Sequence, residues 1–206
     1  MTATRTLLDE RGWRDPPVAK IARTAGMNKP DVYRTFDSKE EILVLTLADY
    51  LTELEDRSGD AAEPEDPVAV LQQACRRYVD FCLEYPAFMD CALSLLGRPA
   101  DELREQVSDA MWFRLGQALA ACVGRLERIL AVGANSGAFA IEDPSFTANL
   151  LYAQMLGSMQ LARAGVGVRE AAPGVAATFM LEPERVRDAC LEDVLALAGI
   201  TAGAAR

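Results

Sequence analysis

The chain has 206 residues, half of them apolar and a quarter charged, and its formal net charge is −10. This composition is typical of a globular protein, and no apolar run approaches the ~20 residues that a membrane span needs. Histidine is absent, which excludes Ser-His-Asp and Cys-His catalysis, His-ligated zinc and the Glu-x-x-His di-iron sites of helical bundles. We therefore expect no enzyme activity, no cofactor and no metal site.

The N-terminus and the cysteines both indicate a reducing compartment. The first residues, MTATRTLLDERGW, lack the roughly 7–15-residue apolar core of a signal peptide, so we expect a cytoplasmic protein. The cysteines are odd in number, widely spaced and without a C-x-x-C pair, which favours buried reduced thiols over a redox sensor. They are Cys75, Cys82, Cys91, Cys122 and Cys190.

Almost every segment has the periodicity of an amphipathic helix, and no run alternates like a strand. The helices are punctuated by glycines, prolines and one S-x-x-E capping box at Ser38–Glu41. The predicted helices are 7–12, 18–25, 28–35, 38–57, 68–85, 87–96, 100–131, 145–164 and 183–198. Segments 58–67, 134–144 and 165–181 are predicted to be connections. The sequence thus predicts an all-α fold, with a small head (1–45) joined by its fourth helix to a larger helical body (46–206).

Charge is distributed unevenly between these two parts. Residues 1–39 hold 8 Lys/Arg against 5 Asp/Glu, a balance of +3, whereas residues 40–206 hold 13 against 26, a balance of −13. A basic head on an acidic body favours a polyanionic partner at the head alone. The alternative is that so small an excess arises by chance.

The head has the dimensions of a helix-turn-helix: a helix over 18–25, a turn at Gly26-Met27 and a second helix over 28–35. Apolar residues predicted to form a small core are Ile21, Ala22, Met27, Val32 and Phe36. The opposite face of the second helix carries Lys29, Tyr33, Arg34 and Thr35. Cationic and phenolic groups on an exposed second helix suit a major groove and its phosphates. The alternative is a solvated amphipathic helix without a partner.

These residues also carry a resemblance to a known family. The matching pattern is Gly12-Trp13, then Val18-x-x-Ile21-Ala22-x-x-Ala25-Gly26-Met27, then Val32-Tyr33-x-x-Phe36-x-Ser38-Lys39-Glu40-Glu41-x-Leu43. It covers about residues 3–45 and resembles the DNA-binding head of the tetracycline-repressor (TetR) family. The resemblance implies a dimeric repressor, or less often an activator, whose helical body binds a small molecule.

The resemblance also implies roles for single residues. Positions that match the family's contacts to base edges are Lys29, Pro30 and Asp31. Positions that match its contacts to phosphates are Tyr33, Thr35 and Lys39. Arg34 matches a variable base or phosphate contact, and Asn28, at the start of the same helix, completes the expected DNA-binding set. Asp31 has two explanations, a hydrogen bond from a cytosine amino group or a role in helix capping, and we favour the second.

The body carries Met and aromatic residues at helical spacing, which are typical of a core. The resemblance implies that some of them line an effector pocket. The candidates are Tyr78, Phe81, Phe88, Met111, Trp112, Leu115, Tyr152 and Met155. No charged residue falls clearly among them, so we expect an apolar or neutral effector.

Helices 145–164 and 183–198 are the candidates for dimerisation. The small residues predicted to permit close helix approach are Ala148, Ala153, Gly157 and Ala162. The simpler alternative is that both helices pack within one subunit.

We therefore expect a sequence-specific regulator that binds a double-stranded operator as a homodimer, responds to an unidentified small effector and has no membrane partner. The main alternative is a helical protein–protein interaction module whose helix-turn-helix no longer binds DNA specifically. An enzyme is the weaker alternative, because the scattered carboxylates and thiols show no convergent spacing.

Overall fold

The computed structural model describes residues 4–5, 17–59 and 66–200. Thr4 and Arg5 are helical, and we number the longer elements from residue 18. The helices are α1 (Val18–Thr24), α2 (Lys29–Thr35), α3 (Lys39–Gly59), α4 (Pro67–Glu84), α5 (Pro86–Leu96), α6 (Ala100–Gln106), α7 (Asp109–Asn135), α8 (Pro144–Ala164) and α9 (Pro183–Leu197). The strands are β1 (Val166–Ala172) and β2 (Val175–Met180). The all-α prediction is confirmed, apart from this small sheet. The predicted helix 7–12 lies outside the described residues.

Two predictions about the elements are wrong. The predicted helix 100–131 is two helices, because Val107 is extended (φ −131°, ψ 132°) and ends α6 before α7 begins at Asp109. The connection 165–181 is an antiparallel β-hairpin in which Val166 pairs with Met180 and Val168 with Thr178. Its many alanines and glycines hid the β-branched and aromatic positions that favour a strand.

Backbone contacts divide the described residues into two compact units. The first holds residues of 1–60 and 85–122, and the second holds residues of 61–84 and 123–206. In the first unit, α3 packs on α5 and α6, and every side chain from Glu41 to Ala48 is buried. A helix that is buried all round belongs to a core rather than to an exposed connector.

The second unit is built on α4, α8 and α9, which pack against one another. The end of α7 joins them through the loop that follows it. Phe139 folds back from this loop and is buried against Gly133, where an added Cβ would lie 2.0 Å from the ring. Only glycine leaves room for the ring there.

The cysteines are free thiols, as predicted: Cys122 is half-buried and the other four are buried. Burial raises the pKa of the Cys75 thiol to about 12 and also raises that of Cys190, so neither is a reactive thiolate near neutral pH. Among the residues described, no helix is long and apolar enough to cross a membrane. The same residues contain no cluster of three or more His, Cys, Asp or Glu suited to a metal ion.

Candidate nucleic-acid interface

The turn between α1 and α2 depends on Gly26 and Asn28. Gly26 has φ +68°, a conformation that favours glycine, and the next amide, that of Met27, donates to the carbonyl of Ala22 at 2.8 Å. Asn28 then begins α2, because its side-chain oxygen accepts from the amide of Asp31 at 2.9 Å. The predicted break at Gly26 and the predicted cap at Asn28 are both confirmed.

A small apolar core holds the two helices together. It comprises Val18, Ile21, Ala22, Val32 and Ile42, with Phe36 packed against it. The prediction was wrong for Met27, which lies in the turn, is 38% exposed and does not belong to this core. Sequence analysis missed Ile42. The periodicity of α3 alone does not reveal that this helix also closes the small core.

The face of α2 opposite this core is exposed. Tyr33 is 45% exposed, and Lys29 Nζ lies 5.7 Å from the centre of its ring. Arg34 and Thr35 are also exposed, whereas Lys39, in the first turn of α3, is half-buried. The helix therefore presents a cation and a phenol together, with a second cation at the start of the next helix.

Asp31 serves its own helix. Its carboxylate forms an ion pair with Arg34 one turn later, and its carbonyl accepts from the Thr35 hydroxyl at 3.2 Å. An acidic residue in the first turn also interacts favourably with the helix dipole. These contacts supply the structural role favoured for Asp31 on sequence grounds.

The capping box at the start of α3 joins that helix to a segment about 70 residues away. Glu41 donates its amide to Ser38 Oγ at 3.0 Å, as the motif predicts. Its carboxylate, however, accepts from Asp37 N at 2.9 Å and from Ser108 N at 2.8 Å. Burial alone would raise the pKa of this carboxyl, but the hydrogen bonds from Ser108 and Asp37 outweigh it and hold the pKa below its usual value.

Two further contacts reinforce this junction. The Ser38 hydroxyl donates to the carbonyl of Gln106 at 2.6 Å. The Arg98 guanidinium donates to Glu40 at 3.1 Å and to the side chain of Gln106 at 3.0 Å. We call residues 38–41 with 98 and 106–108 the α3 clamp. It fixes the corner between α2 and α3, beside Tyr33 and Lys39, to the segment from 98 to 108.

The described N-terminal residues are held against α3 as well. The Arg5 guanidinium lies 4.1 Å from the centre of the Tyr50 ring and 2.6 Å from the Glu53 carboxylate. Burial would raise the pKa of Glu53, but the hydrogen bond and charge of Arg5 keep it below the usual value. Neither contact is apparent from the sequence, because more than 40 residues separate the partners.

The predicted effector residues divide between the two units. In the second unit, Tyr78 and Tyr152 are buried with their rings edge to face, 5.5 Å between centres, and Phe81 and Met155 are buried too. In the first unit, Phe88 and Leu115 are buried, whereas Met111 and Trp112 are half-buried.

An open cleft of about 480 Å³ lies between α4 and α9 in the second unit. Its walls carry charged and polar groups, among them Arg76, Arg187, Asp188 and Glu192. None of the predicted effector residues lines this cleft.

The candidate dimerisation helix α8 has one face in its own unit and one exposed. Ala148 and Ala162 are fully buried, so they cannot provide close approach to a second subunit as predicted. Ala153 and Gly157 are exposed, on a stripe shared by Phe146, Leu150 and Leu161.

Together, the capped helix-turn-helix, the exposed cationic face of its second helix and the helical body define a DNA-binding regulator. Residues 1–45 match the family model described as bacterial regulatory proteins, tetR family. No curated protein sequence matches the chain.

Solved structures with the same fold include three regulators. FadR from Bacillus subtilis, in complex with stearoyl-CoA, has a TM-score of 0.64 at 16% identity and covers 97% of this chain and 96% of that one. A TetR transcription regulator from Haloarcula marismortui has a TM-score of 0.64 at 20% identity, covering 96% and 93%. The TetR-family regulator PfmR from Thermus thermophilus has a TM-score of 0.58 at 18% identity, covering 94% and 95%.

Residues 1–45 match the DNA-binding head of the TetR family and the chain has the fold of TetR-family transcriptional regulators, so the resemblance inferred from the sequence is confirmed. The family and these structural neighbours are regulators rather than enzymes, in agreement with the expectation drawn from the missing histidine.

Proposed function

We propose that this chain is a cytoplasmic, homodimeric repressor that binds a pseudo-palindromic operator through α2 and is released by a small apolar or neutral effector. Residues 1–45 would bind DNA, and residues 46–206 would dimerise and bind the effector. The observation that carries the proposal is the exposed face of α2, with Lys29 and Tyr33 side by side, on an apolar core closed by α3.

The proposed roles follow from reach and chemistry. Lys29 and Pro30, in the first turn of α2, would meet base edges, because the N-terminal residues of a recognition helix enter the groove. Tyr33, Thr35 and Lys39 would hold phosphates, and Arg34 would leave Asp31 to meet a base or a phosphate. Asn28 would keep the helix intact through its cap.

The proposed dimer uses the exposed stripe of α8 together with α9. A two-fold dimer would present its two α2 helices about one turn of DNA apart, ~34 Å, and so read a pseudo-palindrome. Gly157 and Ala153 would allow the backbones of two α8 helices to approach closely.

The proposed effector would bind among the Met and aromatic side chains of the body. FadR was solved with stearoyl-CoA, a long apolar chain on a charged carrier. A fatty-acyl thioester is therefore a useful first probe, compared with neutral aromatic and aliphatic compounds of similar size.

The proposal is tested by fluorescence anisotropy of a labelled duplex from the region upstream of the chain's own gene, at about 50 and 200 mM salt. Phosphate contacts release counterions, so affinity should fall by roughly 10³-fold or more over a range like this if about six phosphates are held. Binding should also resist competition by bulk DNA.

Each outcome has a defined meaning. Nanomolar, salt-dependent and competition-resistant binding supports the regulator. If neither that duplex nor operators selected from a random pool bind at the lower salt concentration, the DNA-binding role is lost and the interaction module becomes the better interpretation. Sedimentation of the same sample tests the dimer independently of DNA.

A further inference from the structure

The β-hairpin after α8 has one apolar face that the described residues leave in solvent. Side chains alternate across a strand, and the register places Val166, Val168, Thr178 and Met180 on one face of the hairpin. Val168 is 73% exposed and Met180 is 74% exposed. We call these four side chains the outer face.

The opposite face is partly occupied by the hairpin itself. The ring of Phe179 lies over Gly167, where an added Cβ would come within 2.4 Å of it. Gly167 is buried and Ala177 is half-buried, whereas Arg169 on the same face is exposed. Phe179 and Gly167 thus cover each other on this face, whereas Val168 and Met180 on the outer face remain exposed.

This arrangement is the reverse of an ordinary solvated ribbon, in which the face turned to water is polar. A two-stranded hairpin is also only marginally stable in water unless a further surface covers it. The outer face therefore has the composition of a surface that is covered in the working molecule.

An exposed apolar stripe on α8 directly precedes the hairpin in the chain. Phe146, Leu150 and Leu161 lie on this stripe and point away from the helix's buried side. The helix ends at Ala164, and the amide of Leu181, directly after β2, donates to the carbonyl of Gly165 at 3.0 Å. The base of the hairpin is thereby tied to the end of α8.

The size of this surface fits a second copy of the chain. The outer face and the α8 stripe together contain six large exposed hydrophobic side chains, whose exposed fractions range from 42% to 74%: Phe146, Leu150, Leu161, Val166, Val168 and Met180. They amount to about three and a half fully exposed side chains, on the order of 500 Å² of apolar surface. A stable interface buries about 800 Å² per partner, and roughly 65% of that area is non-polar in homodimers, so this surface is large enough to supply the apolar part of one side.

Charge also favours a second copy over a nucleic acid. The four side chains of the outer face are uncharged, and Glu170, the next residue on this face toward the hairpin's tip, is an anion that accepts from Gly174 N at 2.7 Å. A neutral apolar patch is self-complementary, as a two-fold interface requires. A phosphate backbone would need lysine or arginine there.

We propose that the hairpin 166–180 is a dimerisation arm whose outer face packs against a second copy of this chain, extending the interface formed by α8. This inference rests on the homodimer of the proposed function. It adds a contact made by a segment that the sequence predicts to be only a connection.

The test compares the same substitution at two exposed valines of the full chain. Val168→Glu places a charge on the outer face, and Val132→Glu places it on α7, where Val132 is 60% exposed. Sedimentation velocity over a concentration series should show the dimer dissociation constant of Val168→Glu raised at least about tenfold, with Val132→Glu unchanged. Circular dichroism reports whether each variant is folded.

A second measurement needs no substitution. Hydrogen exchange of amides 166–180 in the parent chain should slow as its concentration rises through the dimer dissociation constant. A dimeric, DNA-binding parent whose Val168→Glu variant dimerises equally well, or whose hairpin exchange ignores concentration, overturns the arm and leaves the proposed function standing. A parent that stays monomeric at every concentration overturns both.

Discussion

Lys29 and Tyr33 lie on the same face of α2, but they are expected to affect DNA binding differently. Lys29→Ala should remove a contact to base edges, costing about 1–3 kcal/mol at the preferred operator and relaxing preference at particular base pairs. Tyr33→Phe removes only a hydroxyl, so it should weaken binding to all duplexes to a similar degree. Anisotropy with the operator and with single-base variants separates the two patterns.

Arg128→Ala is the control, because Arg128 is an exposed cation on α7 outside the helix-turn-helix. It should leave affinity and salt dependence unchanged. Loss of base preference in Tyr33→Phe, with uniform weakening in Lys29→Ala, would contradict the roles assigned here.

Glu41 is the buried acid of the α3 clamp, and its removal is expected to cost stability. Glu41→Ala leaves the amides of Asp37 and Ser108 without their acceptor, which should lower the free energy of unfolding by roughly 2–4 kcal/mol. Urea titration measures this difference. Glu105→Gln is the control, since Glu105 is exposed on α6 and should change stability by under about 0.5 kcal/mol.

The same carboxylate gives a pH dependence with a definite sign. The pKa of Glu41 is lowered in the folded chain from an ordinary value of 4.5, so its contribution is complete above that pH. It is lost as the pH falls from there through the lower folded-state value. The stability difference between the parent chain and Glu41→Gln should shrink over this acidic range. A difference that grows on acidification would contradict the hydrogen bonds described.

At the scale of the element, two of the three glycines of α7 have opposite surroundings. Gly133 contacts the Phe139 ring, whereas a Cβ at Gly116 would meet nothing within 4 Å. Gly133→Ala should destabilise the protein by about 1–3 kcal/mol through overpacking. Gly116→Ala should stabilise it by up to about 1 kcal/mol through helix propensity.

Thermal unfolding of both variants checks the pair. An increase in melting temperature for both Gly133→Ala and Gly116→Ala would contradict the packing of Phe139 against Gly133. The pair is well matched, because the residue change and the helix are the same and the main difference is the neighbouring ring.

Elements whose signals are local were predicted well from the sequence. The cap at Asn28 and the turn at Gly26 each depend on residues close by in the chain, and the helix-turn-helix follows from them. The hairpin was missed because Gly167 and the alanines of β2 carry no β-propensity of their own. The Phe179 ring that covers Gly167 acts only once the strands have paired.

Within the candidate site, surface positions were predictable and long-range partners were not. Helical spacing alone placed Lys29 and Tyr33 on the exposed face of α2. The partners of the capping box, Gln106 and Ser108, lie about 70 residues from Ser38 and Glu41. No periodicity links such positions, so the tertiary contact had to come from the structure.

At the scale of the whole molecule, the distribution of charge determines where DNA can approach. Residues 40–206 carry 13 Lys/Arg against 26 Asp/Glu, so most of the surface repels a polyanion. Residues 1–39, which carry a small positive balance, are then the part of the chain that DNA can approach. Docking in a wrong orientation is opposed by the rest of the molecule.

Effector release makes a quantitative prediction for the whole molecule. Moving the operator from nearly full to nearly empty needs about a 10⁴-fold change in affinity, ~5.5 kcal/mol, which two subunits would share. Linkage then requires operator DNA to weaken effector binding by the same total factor. This factor is measured by following Trp112 fluorescence during effector titrations with and without saturating operator. Equal effector affinity in both titrations would show that the sites are not coupled.

The α3 clamp has a consequence for anyone who wishes to build chimeric regulators from this chain. A transplant of residues 1–45 onto a foreign body would carry Ser38 and Glu41 but leave behind Gln106 and Ser108, their partners. The graft would expose a carboxylate that has lost an amide donor, at the corner next to the recognition helix. A transferable head therefore requires that residues 98 and 106–108 also replace the corresponding positions of the host. A graft cut at residue 45 should unfold first at its new junction.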